Sequence, residues 1–399
     1  MFAELRCAKL ASKLNALMLA TVVTAHAVEL PEQEEDEFHF VVLGDSQFHD
    51  LPKFNRVIDQ ARLLQPAFVI QVGDLIRGYS NDIDAVALEW VRFKKQVAPL
   101  GNVTYFPVPG NHDVYNGERR VDKRLEDLYE ANWGPIFHAF DYKNVQFTLL
   151  NSDSTEGENQ IGPEQFAWLD ATLRESNADH KMAFVHKPPL LMENADALHK
   201  LFVQHGVSHV FYGHFHHYHY QEKDGVHYSM TNAAANMGTE RREVGSFHQL
   251  LQVSVRGDDV TVAVIDADSI NRRDIVTATD NSDLFVLLRS LAPRDIEMQE
   301  MSEGAYRLTI PVQNPGTRNI NLLVTCTSDD NRWQFTPLRI APLNLDAGGT
   351  SSMQIDATFA LDRQPESNPV CTIRVPYQTS QGQWIDYNHS VTGSWRGQE

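Results

Sequence analysis

Residues 103–113 read VTYFPVPGNHD, an apolar stretch rich in β-branched and aromatic residues that ends in a polar cluster. Such a run is typical of a buried strand, and the Pro and Gly before Asn111 end it. Four other stretches also run from apolar residues to a terminal Asp or His. They are FHFVVLGD (38–45), AFVIQVGD (67–74), KMAFVHKPP (181–189) and VSHVFYGHFHH (207–217). We therefore predict five buried strands that each end in polar side chains.

Segments with helical periodicity separate several of these strands. They are FNRVIDQARLL (54–64), AVALEWVRFKKQV (85–97) and PEQFAWLDATLRES (163–176). Strands that alternate with helices indicate an α/β fold with largely parallel or mixed sheets. In such sheets ligands bind beyond the carboxyl ends of the strands. The polar residues at the strand ends are therefore expected to converge on one site.

The strand-end residues are of the types that bind divalent metal ions. Taken alone, each has a simpler structural explanation, because an Asp after a strand can cap a helix and an Asn can occupy a turn. Five motifs in succession, separated by 29, 37, 75 and 28 residues, favour a shared function. The residues are Asp45, Asp74, Asn111, His112, His186, His214 and His216.

The order of these motifs resembles that of the calcineurin-like metallophosphoesterase superfamily over residues 38–268. The motifs are GD, GD, GNHD, VHKPP and GHFH, and the segments FDYKNVQFTLLNSDS (140–154) and GPEQFAWLDATL (162–173) are similar to the family's core hairpin and following helix. The resemblance implies a four-layer α/β/β/α domain and the hydrolysis of a phosphoester.

The resemblance also implies a site for two divalent metal ions, Mn, Fe or Zn, about 3.5–4 Å apart, which clamp a phosphoryl oxygen and activate a water. Asp74 would bridge the two ions. One ion would be bound by Asp45, His216 and Gln47, and the other by Asn111, His186 and His214.

His112 occupies the position of the family's general acid, which protonates the leaving alkoxide. Asp113 would orient the His112 imidazole from behind. The intact pair favours an enzyme, since a protein that only stores metal needs no general acid.

The first motif departs from the family pattern, which has His where this chain has Gln47. A neutral amide oxygen is a harder ligand than imidazole, so this site is expected to be weaker or to prefer an ion such as Mn²⁺. His49 is an alternative ligand. Purple acid phosphatases need Tyr three residues after the bridging Asp, where this chain has Arg77, and this disfavours that coloured subclass.

The stretch GHFHHYHY (213–220) contains four histidines. His214 and His216 are two residues apart, so they would lie on one side of the chain if it stays extended. His217 and His219 would then point the other way, as polar residues at a loop or pocket rim or as contacts to substrate phosphate.

The N-terminal segment has the pattern of a signal peptide over residues 1–27, with basic residues, an apolar run and Ala25-His26-Ala27. The alternative is an N-terminal amphipathic helix. An acidic leader follows at 28–37. The predicted location is periplasmic or secreted, without a stable membrane span. The formal net charge of −19 argues against nucleic acid as a partner.

The C-terminal part shows strand and turn patterns rather than alternating helices. We predict a linker with a short helix at 269–297 and a β-sandwich at 298–399, similar to Ig-like or fibronectin-like modules. Cys326 and Cys371 are the two cysteines outside the N-terminal segment, which holds Cys7. In an exported protein they predict one disulfide, the alternative being two buried thiols.

The functional prediction is therefore an exported, two-metal phosphoester hydrolase that acts on a small phosphomonoester or phosphodiester. The alternative is a metal-binding or interaction protein that retains the site with little turnover, which Gln47 mildly favours.

Overall fold

The computed structural model describes residues 37–238, 240–266, 268–293, 295–329, 332–336, 342–359 and 367–395. The predicted signal peptide, Cys7 and the acidic leader up to residue 36 lie outside these ranges. No helix in the described ranges is long and apolar enough to cross a membrane.

In the described residues, fourteen strands precede the C-terminal domain. They are β1 (Glu37–Leu43), β2 (Phe68–Val72), β3 (Thr104–Val108), β4 (His138–Tyr142), β5 (Val145–Leu150), β6 (Asp153–Ser154), β7 (Gly157–Glu158), β8 (His180–Val185), β9 (Val207–Tyr212), β10 (His219–Lys223), β11 (Val226–Met230), β12 (Leu250–Arg256), β13 (Asp259–Ile265) and β14 (Ile270–Arg272).

Six helices accompany these strands. They are α1 (Leu51–Leu63), α2 (Ile83–Val97), α3 (Asn111–Val114), α4 (Lys123–Trp133), α5 (Pro163–Glu175) and α6 (Ala195–His205). Asp50 and Asp82 cap α1 and α2, because their carboxylates accept hydrogen bonds from the backbone N–H of Lys53 and Ala85, both at 3.0 Å. α6 ends at Gly206, whose φ of 71° is left-handed.

Two six-stranded sheets form the centre of the first domain. The strand orders are β14-β13-β12-β1-β2-β3 and β10-β11-β9-β8-β5-β4. β1, β2 and β3 are parallel, as are β5, β8, β9 and β11. All five residues of β2 are buried, as expected for a strand covered on both faces.

The layers follow from three apolar clusters. The cluster between the sheets is rich in phenylalanine, with Phe40, Phe68, Phe147 and Phe184 among its members. A second cluster packs α1, α2 and α4 on the outer face of the first sheet, and a third packs α5 and α6 on the second. The predicted four-layer α/β/β/α arrangement is confirmed.

The C-terminal domain contains the remaining elements. They are α7 (Ala278–Ser290), β15 (Asp295–Ser302), β16 (Ala305–Gln313), β17 (Ile320–Thr327), β18 (Trp333–Thr336), β19 (Leu343–Leu345), β20 (Thr350–Phe359), β21 (Val370–Gln378) and β22 (Trp384–Trp395).

The eight C-terminal strands differ from a sandwich of two separate sheets. They form one hydrogen-bonded sheet in the order β18-β20-β16-β15-β22-β21-β17-β19, joined at its middle by the parallel pair of β15 and β22. The sheet curls over one core, because the Trp333 Nε1 in β18 donates to the Ser367 carbonyl just before β21 at 2.9 Å. The predicted all-β domain is thus present in a rolled form.

Two further details bear on the predicted boundaries. β14 extends the first sheet to Arg272, four residues beyond the predicted end at 268. The predicted linker helix is α7, whose Leu284 and Leu287, with Leu291 directly after it, belong to the core of the C-terminal domain.

The predicted disulfide joins Cys326 and Cys371, which are directly opposite each other on β17 and β21.

Candidate metal centre

The predicted ligands lie together at the carboxyl ends of five parallel strands. Asp45 and Asp74 follow β1 and β2, Asn111 begins α3 after β3, His186 follows β8, and His214 follows β9. Because the two sheets face each other, these ends meet at one edge of the domain. The predicted convergence is present.

One group of ligand atoms surrounds the imidazole of His186. Its Nε2 lies 3.2 Å from the Oδ1 of Asp74, 3.2 Å from the Nδ1 of His214 and 3.1 Å from the Oδ1 of Asn111. Asp74, His186 and His214 form a group able to hold a metal ion.

A second group consists of Asp45, Asp74 and His216. The Nε2 of His216 lies 3.4 Å from the Oδ2 of Asp45. Asp74 belongs to both groups, as a bridging carboxylate must. The two groups divide these ligands in the way that the sequence interpretation assigned them to two metal ions.

Backbone carbonyls fix the tautomers of two ligand histidines. The Nδ1 of His186 lies 2.9 Å from the carbonyl oxygen of Val72, and the Nδ1 of His216 lies 2.6 Å from that of Asn236. A carbonyl oxygen only accepts, so each Nδ1 carries a proton and donates it. This directs each Nε2 at the site, which is the usual arrangement behind metal-binding histidines.

The amide of Gln47 lies beside the group of Asp45, Asp74 and His216. Its Nε2 donates to the Oδ2 of Asp74 at 2.6 Å and lies 3.2 Å from the Nε2 of His216. In this orientation Gln47 is a hydrogen-bond donor to the shared carboxylate, and rotation of the amide would present its oxygen as a ligand. His49 is exposed and belongs to neither group.

His112 lies beside the shared carboxylate. Its backbone N–H donates to the Oδ1 of Asp74 at 2.9 Å, and its Nε2 is 3.9 Å from the Oδ2. The Nδ1 lies 2.5 Å from the carbonyl oxygen of Arg77 and donates to it. The ring is partly exposed, so its Nε2 can be reached from solvent.

The predicted role of Asp113 as the orienting partner of His112 is wrong. The Asp113 carboxylate is fully buried and accepts hydrogen bonds from the backbone N–H groups of Leu75, Ile76 and Gly110, at 2.8–3.2 Å. It joins the loop after β2 to the loop after β3. The carbonyl of Arg77 takes the role that was assigned to Asp113.

Tyr79 is a site residue that the sequence interpretation missed. Its hydroxyl accepts a hydrogen bond from the Nδ2 of Asn111 at 2.5 Å, which turns the Asn111 oxygen towards His186. Its ring centroid lies 4.2 Å from that of His112. Burial and the charge of Asp74 raise the pKa of Tyr79, so the phenol stays neutral.

The segment 213–218, hereafter the ligand loop, is not extended as predicted. His214 and His216 have left-handed φ angles of 79° and 58°, and β9 ends before them at Tyr212. His217 contacts Phe285 of α7 at 5.6 Å between ring centroids, and the Nε2 of His219 in β10 lies 3.0 Å from the hydroxyl oxygen of Tyr212. His217 thus lies in a loop, as one of the predicted alternatives has it, whereas His219 is a strand residue.

The charged groups of the site shift one another's pKa values. Burial opposes ionisation of Asp74, but the charges of His186 and His112 outweigh it and hold the pKa of Asp74 far below its usual range. Burial likewise opposes protonation of His186, yet Asp74 raises the pKa of His186 to about 10. Burial and the charge of His186 lower the pKa of His214 to about 4.

Comparison with known proteins agrees with this architecture. Residues 38–218 match the model of the calcineurin-like phosphoesterase family. No match is found among curated protein sequences.

Solved structures with a similar fold include PhoD, with a TM-score of 0.50 and 10% identity over 62% of this chain and 72% of that chain. A dimetal phosphatase from Danio rerio has a TM-score of 0.45 and 16% identity over 60% of this chain and 97% of that chain. Purple acid phosphatase PPD1 from yellow lupin seeds (Lupinus luteus) has a TM-score of 0.48 and 14% identity over 61% of this chain and 54% of that chain. The similarity to PhoD concerns the fold.

The close approach of the loops predicts a specific effect of Gly213→Ala. A Cβ at this position would lie 2.2 Å from the Oδ1 of Asp45, so the carboxylate would have to move. We expect loss of metal binding at the group containing Asp45, measured by titration with Mn²⁺. Gly117→Ala is the control, since the nearest atom there is 3.2 Å away on the side chain of Asn81. Equal affinities in both variants would contradict this packing.

The raised pKa of His186 predicts that metal binding releases protons. A proton on Nε2 competes with a cation below the pKa of about 10, so affinity should fall as the pH is lowered. At pH 7 the group around His186 should release about one proton per ion bound. Calorimetric titration in buffers of different ionisation enthalpy measures this release. Binding without proton release between pH 6 and 8 would refute it.

Proposed function

We propose that the protein is a two-metal hydrolase of a small phosphomonoester or phosphodiester. The premise is that residues 38–218 of this chain belong to the calcineurin-like phosphoesterase family. The observation that carries the proposal is the position of Asp74. One buried carboxylate is shared by two groups of ligand atoms, which is the arrangement that a pair of adjacent cations needs.

The residues present fit such a pair of cations. Three atoms that can act as acceptors, on Asp74, His214 and Asn111, lie within 3.2 Å of the His186 Nε2, which is unfavourable without a proton or a cation between them. Imidazole, carboxylate and amide ligands suit Mn, Fe or Zn. When bound, the cations would supply Lewis-acid activation of water and positive charge for the phosphoryl group.

We assign the proton of the leaving group to His112. The Arg77 carbonyl fixes the Nδ1 proton, so the Nε2 of this partly exposed side chain is the atom that can carry and transfer the second proton. The Tyr79 ring against one side of the imidazole limits its rotation. The Asp74 carboxylate lies 3.9 Å from this Nε2.

Export is a further part of the proposal. A disulfide between Cys326 and Cys371 supports an oxidising compartment, and residues 1–27 have the signal-peptide pattern. A periplasmic or secreted location is consistent with both.

Hydrolysis of p-nitrophenyl phosphate and bis-p-nitrophenyl phosphate with added Mn²⁺ tests the activity. We expect turnover that depends on the metal, with the preferred substrate separating monoesterase from diesterase.

Asp74→Asn should lose both metal sites and Asp45→Asn only one, which elemental analysis of the purified variants measures. Full metal content in Asp74→Asn would overturn the assignment. Metal binding without turnover of any ester would favour the alternative of a metal-binding or interaction protein.

His112→Ala separates the acid from the metal ligands. The variant should keep its metal content and lose about 10²–10⁴-fold in kcat, the usual contribution of a positioned acid. The loss should be smaller for p-nitrophenyl esters than for alkyl esters, because a leaving group of low pKa needs little protonation. An equal loss for both classes of ester would show that His112 is not the acid.

A further inference from the structure

The helix α7 lies between the core of the C-terminal domain and the ligand loop. Its Leu284 and Leu287, and Leu291 directly after it, are buried in that core. On the same helix the ring of Phe285 contacts the ring of His217, with centroids 5.6 Å apart. One helix therefore contacts both the C-terminal domain and the segment that supplies His214 and His216.

Ring contacts continue from α7 to a metal ligand. His217 is stacked on Phe215, at 6.2 Å and an interplanar angle of 9°, and Phe215 lies 5.1 Å from the ring of His214. The rings of Phe285, His217, Phe215 and His214 thus form a continuous series. A displacement of Phe285 would be transmitted through these ring contacts to the ligand loop.

Buried ionic contacts fix α7 to the C-terminal domain. Asp280 accepts hydrogen bonds from the Tyr377 hydroxyl at 3.1 Å and the Ser380 N–H at 3.0 Å, and pairs with Arg318. Asp283 accepts from the Thr317 N–H at 2.8 Å and also pairs with Arg318. Both carboxylates are almost fully buried, so the position of α7 is set by the strands of that domain.

A second series of contacts leads from α7 to Tyr218, the last residue of the ligand loop. The Nδ2 of Asn281 donates to the carbonyl of Val244 at 2.6 Å. The carbonyl of the next residue, Gly245, accepts the N–H of Tyr218 at 2.8 Å. This approach is tight, because a Cβ at Gly245 would lie 1.8 Å from the carbonyl oxygen of Tyr218.

The ligand loop needs such support because its backbone is strained. Left-handed φ angles at two non-glycine residues, His214 and His216, persist only where the surroundings hold them. We propose that the C-terminal domain is a positioning element for the metal centre, which acts through Phe285 and Asn281 of α7 on the ligand loop. This inference rests on the metal-binding part of the proposed function.

The experiment compares Phe285→Ala with Leu287→Ala in the full chain. Phe285→Ala removes the ring against His217, and we expect Mn²⁺ affinity to fall about 10–100-fold, as for other residues that orient a ligand. Leu287→Ala removes a buried side chain of the same helix from the C-terminal core, so it should lower the melting temperature. Asp280 and Asp283 still hold α7 in this variant, so Mn²⁺ affinity should stay unchanged. Phe285→Tyr keeps the ring and should restore the affinity.

Hydrogen exchange of the metal-free protein gives a readout independent of activity. Phe285→Ala should speed exchange of the backbone amides in 213–218, and Leu287→Ala should not. If Phe285→Ala does not fold, His217→Ala removes the other ring of the same contact and should give the same loss. In the double variant the two losses should not add.

The results separate this inference from the proposed function. A parent protein that binds no Mn²⁺ would overturn the metal centre itself. A parent that binds Mn²⁺, with unchanged affinity and exchange in Phe285→Ala, would overturn the positioning role alone. An equal loss of affinity in Leu287→Ala would overturn it too, since general destabilisation of the C-terminal domain would then explain both variants.

Discussion

The buried carboxylate of Asp74 is the constraint on which the site depends. Its side chain is 1% exposed, and a carboxylate without water must be matched by donors or cations. The backbone N–H of His112 and the amide of Gln47 donate to it, and the imidazole of His186 faces it. These contacts come from the segments after three strands, β1, β3 and β8, so both sheets must pack together before the charge is satisfied.

The approach of the loops explains why glycine precedes the ligands. A Cβ at Gly110 would lie 2.3 Å from the Oδ1 of Asp74, and one at Gly213 would lie 2.2 Å from the Oδ1 of Asp45. The backbone at Asp74, with φ of 53°, is also left-handed. Strain of this kind costs about 1–3 kcal/mol per residue and is held in place by the rigid strands on either side. The sheets thus provide the stability that the site lacks.

The sequence predicted the convergence of the ligands because parallel strands place their carboxyl ends at one edge, whatever the details of the loops. It failed where the loop conformation decides. His112 and Asp113 are neighbours in sequence, but they lie in the helical turn of α3, where consecutive side chains point about 100° apart. Tyr79 reaches Asn111 only because of a left-handed turn after Asp74. The pairing of β15 with β22 joins distant segments that no local pattern connects.

The charge of the protein adds a condition on the order of binding. The chain carries a formal charge of −19, and Asp45 and Asp74 place negative charge at the centre of the site. The buried Lys187 is paired with Asp153 at 2.6 Å, and the protonated imidazole of His186 is matched by the carboxylate of Asp74. These pairs leave little positive charge for a phosphate dianion, and charges in a buried environment interact strongly. Cations held by Asp45 and Asp74 would supply that positive charge. On the proposed function, metal binding must therefore precede substrate binding.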